Sequence, residues 1–183
     1  MTDFVQAHPD GLVLSMDEMS LYLQATLSRV WFPVGQRPKL RISPQRDCLH
    51  FYGALNWRTG QDVSLPLPVL NAQATVHFLR HLLACFPTQP LLLVLDRAPW
   101  HRGEPIRQFL AANPRLELIY FPPACPELNP QEHVWKQARQ AVSHNHTFTR
   151  LGQLRHAFSH FLDTTRFEID ILDNYAPPIM WQL

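Results

Sequence analysis

At 183 residues the chain is long enough for one domain with a substantial core, and length alone gives no reason for a second. A hydrophobic fraction of 46% with five tryptophans excludes a disordered chain, and three widely spaced cysteines, an odd count with no CxxC pair, suit a reducing compartment better than a disulfide framework. The formal net charge of +1 neither demands nor forbids a nucleic-acid partner, so any phosphate-binding surface has to be local.

The N-terminus "MTDFVQAHPDG" lacks a basic region followed by an apolar one, and no later run is apolar enough to span a bilayer. The expectation is a soluble, cytoplasmic protein with no membrane partner. The first regular element is "GLVLSMDEMS", where Leu12, Leu14 and Met16 alternate with Val13, Ser15 and Asp17 as in a strand. Asp17 is expected to end it, with Glu18 on the opposite face. "RVWFPVGQRPKLRIS" reads as a turn and irregular strand, with Arg37, Lys39, Arg41 and Arg46 as the densest basic cluster. "CLHFYGALNWRTGQDVSLPLPVL" reads as a hairpin around "RTG", so three antiparallel strands fill residues 12 to 70.

The period changes at "NAQATVHFLRHLLACFP", where Val76, Leu79 and Leu83 recur at helical spacing behind an Asn71 cap, and Pro87 stops the helix. "PLLLVLD" is a strand buried on both faces that ends at Asp96. A helix over "RGEPIRQFLAAN" and a second buried strand over "RLELIYFPP" follow. A further helix is predicted from Asn129 to about Ser143, and another over "LGQLRHAFSHFLDTT". The whole is one α/β domain: three antiparallel strands, then two parallel ones, flanked by helices. Its core spans about 12 to 143, with a helical flank and tail over 144 to 183.

Asp17 and Asp96 both stand where a predicted strand runs out, the place where active sites gather in open α/β sheets. Taken alone, each is better read as starting a turn by accepting a backbone N–H. Glu132 also has a local account, because Asn129, Pro130 and Glu132 occupy the N-cap, N1 and N3 positions of a capping box. The local accounts leave unexplained the order of three acids at the ends of strand, strand and helix. Acids brought together are tolerated around a cation, and two Mg²⁺ or Mn²⁺ ions held by such oxygens serve in-line phosphodiester displacement.

"MDE" around Asp17, "VLDRAPWH" around Asp96 and "FPPACPELNPQEHVWK" around Glu132 together resemble the catalytic domain of DDE transposases, in the bacterial insertion-sequence branch of the mariner superfamily. Asp96 and Glu132 are separated by 35 residues, close to the spacing of that branch. The resemblance runs from about Leu12 to Val142, and "PELNPQEHVW" is its most specific block. It implies a ribonuclease H-like fold with Asp17, Asp96 and Glu132 as a catalytic, metal-binding triad for two Mg²⁺ or Mn²⁺ ions. Trp31, Gly35 and Pro38 match an aromatic and glycine signature after the first strand. His101 matches a histidine found a few residues beyond the second aspartate, whereas Arg97 stands where an asparagine is common.

The activity implied is metal-dependent DNA strand cleavage and strand transfer. Two alternatives stay open: a nuclease on the same fold without strand transfer, and a catalytically silent remnant acting as an interaction module. Glu18 is expected to support the site without binding metal, and His101 to orient a ligand, contact phosphate or cap the next helix. Lys136 and Arg139, four and seven residues after Glu132, share its helix face and are candidates for phosphate contact, as is the basic cluster. The implied partners are transposon-end and target DNA, with a homodimer assembled on it. About eleven residues precede the first strand, so end recognition is expected from a separate helix-turn-helix polypeptide or an upstream frame, unless the chain is a fragment.

Overall fold

The chain is seen as a computed structural model that describes residues 1–29, 31, 33–36, 39, 46–123, 125 and 128–168. Its central strand, β1 (Leu12–Tyr22), pairs antiparallel with β2 (Cys48–Asn56) on one side and parallel with β4 (Leu91–Leu95) on the other. β2 pairs antiparallel with β3 (Asp62–Leu67), and β4 pairs parallel with β5 (Leu116–Tyr120), in the order β3-β2-β1-β4-β5. This is the mixed sheet expected from the hydrophobic pattern. The β2–β3 hairpin turns where Asn56 Oδ1 accepts the backbone N–H of Arg58 at 2.9 Å, and Gly60 takes the left-handed φ of 65° that the turn requires.

Helices cover both faces. α2 (Ala72–Cys85) and α3 (Glu104–Ala111) bury Phe78, Leu79, Leu82 and Ile106 against Leu14, Met16, Tyr52 and Ala54. Asn71 caps α2 as expected, its Oδ1 accepting the Ala74 N–H at 2.8 Å. On the other face, α4 (Pro130–Ala138) and α5 (Leu151–Thr164) set Val134, Trp135, Leu154 and Phe158 against Met19, Leu21, Phe51 and Leu55. The short α1 (Thr2–Ala7) lays Phe4 and Val5 over Val13, Leu92 and Val94. Among the described residues no helix is long and apolar enough to cross a membrane.

Three expectations need correction or sharpening. Asp17 does not end β1, because pairing with β2 continues through Tyr22; it is pairing with β4 that stops, at Ser15. β5 is not a strand buried on both faces: it is the sheet edge, with Leu116 buried, Glu117 exposed and the rest half-buried. The helix after Asn129 stays α-helical to Ala138 and then widens into a π-helical turn, Arg139–Ser143. Arg37, Pro38, Arg41, Pro126 and the tail "DNYAPPIMWQL" lie outside the described residues.

α4 reaches the sheet over a single glycine. Gly53 is the cross-strand partner of Asp17, and a Cβ there would stand 2.4 Å from the Trp135 ring and 2.5 Å from Gln131 Nε2. A glycine inside a strand usually marks such an approach. Gly53→Ala should therefore push α4 off the sheet and cost about 2 kcal/mol by overpacking, measured as a lower urea midpoint at unchanged slope.

Candidate active site

The register of the sheet brings the two aspartates together. Ser15 pairs with Val94 in the parallel ladder, so two residues further on Asp17 and Asp96 fall at the same level of adjacent chains. β4 has ended there and β1 has not, which leaves a notch beside the overhanging half of β1. α4 delivers Glu132 into the same space. Asp17, Asp96, Asn129 and Glu132 line one cavity of about 380 Å³, whose far wall is Phe121, Pro122, Pro123 and Cys125.

Asp96 is held by its own neighbourhood. Its Oδ1 accepts the Ala98 N–H at 2.9 Å and lies 2.8 Å from His101 Nδ1. His101 is fully buried, and its Nε2 lies 2.8 Å from Glu18 Oε1, while Trp100 Nε1 donates to Glu18 Oε2 at 3.0 Å. Tyr120 donates its hydroxyl to the His101 carbonyl at 3.0 Å, fixing the turn from below. With an acceptor at each ring nitrogen, imidazolium is the form that donates to both. Burial alone would lower the His101 pKa, but the hydrogen bonds to Asp96 and Glu18, with their charges, push it up to about 10. The His101 hydrogen bond in turn holds Asp96 below the usual carboxylate range despite partial burial.

Asp17 is treated in the opposite way. Its Oδ2 accepts the Trp135 indole N–H at 3.1 Å. Burial, then the charges of Glu132, Glu18 and Asp96, push its carboxyl up to about 8, against the pull of the Glu18 backbone N–H. Asn129 ties this strand to α4 from both ends of its amide: Oδ1 accepts the Gln131 N–H at 3.1 Å, and Nδ2 donates to the Met16 carbonyl at 3.2 Å. The expected cap is thus formed but the capping box is not, because the Asn129 side chain takes the Gln131 N–H while the Glu132 N–H bonds the Asn129 carbonyl at 3.1 Å. The Glu132 carboxylate makes no hydrogen bond among the described residues, and it faces the cavity.

Among the described residues no group of three His, Cys, Asp or Glu side chains is close enough to hold a metal ion as it stands. The acids share a cavity without being drawn together, because Asp96 is turned to His101 and Asp17 to Trp135. The donor set is nonetheless one that suits a hard cation: three carboxylates, with Asp17 burdened by surrounding negative charge and Glu132 uncommitted.

The remaining candidates divide. Glu18 faces away from Asp17, as alternation requires, yet returns to the site through His101. Lys136 and Arg139 line a groove of about 550 Å³ that shares Glu132 with the cavity and continues past Tyr22 and His144. Arg139 also donates to the Ser20 carbonyl at 3.4 Å. Lys39, Arg46 and Trp31 are exposed on the β1–β2 connection and do not line the cavity. Sequence reasoning missed Trp135, Trp100 and the second role of Asn129. Trp135 was findable, since it lies three residues from Glu132 on the same helix face; nothing local marks Trp100 as the partner of a residue 82 positions away.

Comparison with known proteins bears on the family and the fold. The family model of the DDE superfamily endonucleases matches residues 12–155. The insertion element IS630 uncharacterized 39 kDa protein of Shigella sonnei is 24% identical over 158 residues, covering 86% of this chain and 45% of that protein. The Mos1 transposase paired-end complex with left transposon end superposes with a TM-score of 0.70 at 14% identity, over 99% of this chain and 56% of the Mos1 chain. The mariner Mos1 paired-end complex with Mg gives 0.66 at 15% identity, over 93% and 53%. The chain thus spans about half the length of these proteins. The fold is ribonuclease H-like, and the chain belongs to the DDE superfamily endonucleases.

Proposed function

We propose that this chain is a transposase catalytic domain that cleaves DNA strands at transposon ends and transfers them to target DNA, with Asp17, Asp96 and Glu132 as its catalytic carboxylates. The observation that carries this reading is the single cavity lined by these acids from β1, the end of β4 and the first turn of α4. The same residues would hold two Mg²⁺ or Mn²⁺ ions, and relatives of this fold have been solved with Mg. When bound, such ions polarise the phosphodiester and lower the cost of forming the attacking and leaving oxyanions.

Each residue of the chain has its own task. His101, backed by Glu18 and Trp100, keeps Asp96 ionised and fixed at the mouth of the notch. Trp135 and Asn129 hold Asp17 and the start of α4 in register, so that Glu132 enters from the opposite wall. Phe121, Pro122 and Pro123 form a stiff apolar part of the cavity lining. Lys136 and Arg139 line the groove through which a phosphate backbone approaches Glu132. End recognition would come from a helix-turn-helix polypeptide, and two copies of this domain would act together on paired ends.

Asp17→Asn, Asp96→Asn and Glu132→Gln should each lower Mn²⁺-dependent cleavage of transposon-end DNA by about a hundredfold or more, in keeping with the loss of metal support. Glu132→Gln should keep the thermal midpoint close to that of the unaltered chain, because Asn129 carries the cap. Full activity in all three variants would sink the reading. Incubating pre-cut 3'-hydroxyl ends with target plasmid separates strand transfer from simple cutting.

Lys136→Ala should weaken DNA binding alike across sequences and reduce the slope of log affinity against log salt by about 1. His101→Gln tests the clamp on Asp96 in metal-free buffer. His101 has a folded pKa of about 10 against 6.5 for the free side chain, so its stabilisation is complete below pH 6.5 and is lost as pH rises towards 10. The variant should be less stable by about 3 kcal/mol at pH 6 in urea unfolding, and the gap should close by pH 10.

A further inference from the structure

We propose that Asp62 and Gln131 form a two-bond acid–amide pair that pins the first turn of α4 to the head of β3 and thereby positions Glu132. The positioning half of this inference rests on the role given to Glu132 above. Gln131 is fully buried, Asp62 is 4% exposed, and Gln131 Nε2 donates to Asp62 Oδ1 at 2.8 Å across 69 residues of sequence. Each partner keeps one oxygen, Asp62 Oδ2 and Gln131 Oε1, that is buried and without a hydrogen-bond partner. Two orphaned acceptors on groups already joined by one bond are a costly arrangement in a low-dielectric interior.

A proton on Asp62 Oδ2 removes the conflict. The acid then donates to Gln131 Oε1 while Oδ1 accepts from Nε2, which leaves neither oxygen unpaired. The surroundings favour that proton. Burial pushes Asp62 up to about 7, the Gln131 hydrogen bond and the nearby Ser64 hydroxyl, which is not in hydrogen-bond geometry, pull the other way, and Asp163 on α5 adds to the rise. β2 sets apolar Leu55 opposite Asp62, and α2 packs on the other face of the sheet, behind Val63. Arg166, on an adjoining segment, bridges to Gln61 through its backbone. The Gln131 amide reaches this position because Gly53 lacks a Cβ, which would stand 2.5 Å from Nε2. Glu132 is the next residue in the chain, so a slip of the pair displaces it directly.

Asparagine mimics the protonated acid, since its amide donates to Gln131 Oε1 and its carbonyl accepts from Nε2. Unfolding in urea is compared for the unaltered chain and Asp62→Asn from pH 4 to pH 8 in metal-free buffer. Raised above its unfolded value of 3.8, Asp62 stabilises fully below that pH and loses its contribution as pH rises to about 7. The folding constant of the unaltered chain should therefore fall relative to Asp62→Asn by up to about tenfold per pH unit within that window. Parallel pH profiles would overturn the pair.

The second arm measures the Mn²⁺ concentration giving half-maximal cleavage of uncut transposon-end DNA. Asp62→Ala, checked as folded by circular dichroism, should raise it about tenfold, and Asp62→Asn should restore it. Equal values in both variants would overturn the positioning role. If the unaltered chain cleaves no DNA, the transposase reading fails and the pH comparison alone decides the pair.

Discussion

Trp135 lying over Gly53 is the contact from which the rest of the site takes its position. An amphipathic helix resting on an apolar sheet can slide or roll at modest cost, because the hydrophobic effect is not directional. Three features remove that freedom here. The indole occupies space that only glycine leaves open, its N–H is committed to Asp17, and one and a half turns earlier Asn129 grips the Met16 carbonyl. Translation, rotation and the starting point of α4 are all fixed, and Glu132 follows, since it lies between the two anchors on the same side of the helix.

The three carboxylates that result are chemically unequal. Asp96 is paired with a buried imidazolium and stays ionised, while Asp17 shares the negative field of Glu132, Glu18 and Asp96 and has one indole N–H to offset it. A charge pair as buried as Glu18 and His101 stabilises little by itself, given the desolvation of both ions. Its value lies in geometry: a doubly hydrogen-bonded ring joins β1 to the turn after β4 and leaves Asp96 no latitude. The uncompensated charge sits on the side of Asp17 and Glu132, where a divalent cation would relieve it.

Much of this was legible in the sequence, and for identifiable reasons. The strand and helix periods, the Asn71 and Asn129 caps and the "RTG" turn are local signals, and each corresponds to an observed feature. The acids were read as a set because each was expected at a change of element; Asp96 follows the end of β4 and Glu132 opens α4, whereas Asp17 lies inside β1. The length of β1 was not, since its second half is defined by pairing with β2, some thirty residues later. The exposed character of β5 escaped for a similar reason: "LELIY" is apolar whether or not another strand lies beyond it. Polar pairs across the fold, Glu18 with Trp100 or Asp62 with Gln131, leave no mark on local sequence at all.

Why the site lies in the notch follows from an unmet demand of the backbone. Where β4 stops, the edge of β1 beyond Ser15 loses its parallel partner, yet its carbonyls still need donors. A further strand would satisfy them and close the space. Side chains do so instead: Asn129 takes the Met16 carbonyl and Arg139 the Ser20 carbonyl, both from the segment that carries Glu132. Side-chain donors reach across a gap that a paired strand would fill, so two of the edge carbonyls are satisfied while the space beside Asp17 stays open. The same contacts that complete the sheet therefore create the cavity and aim the third acid into it.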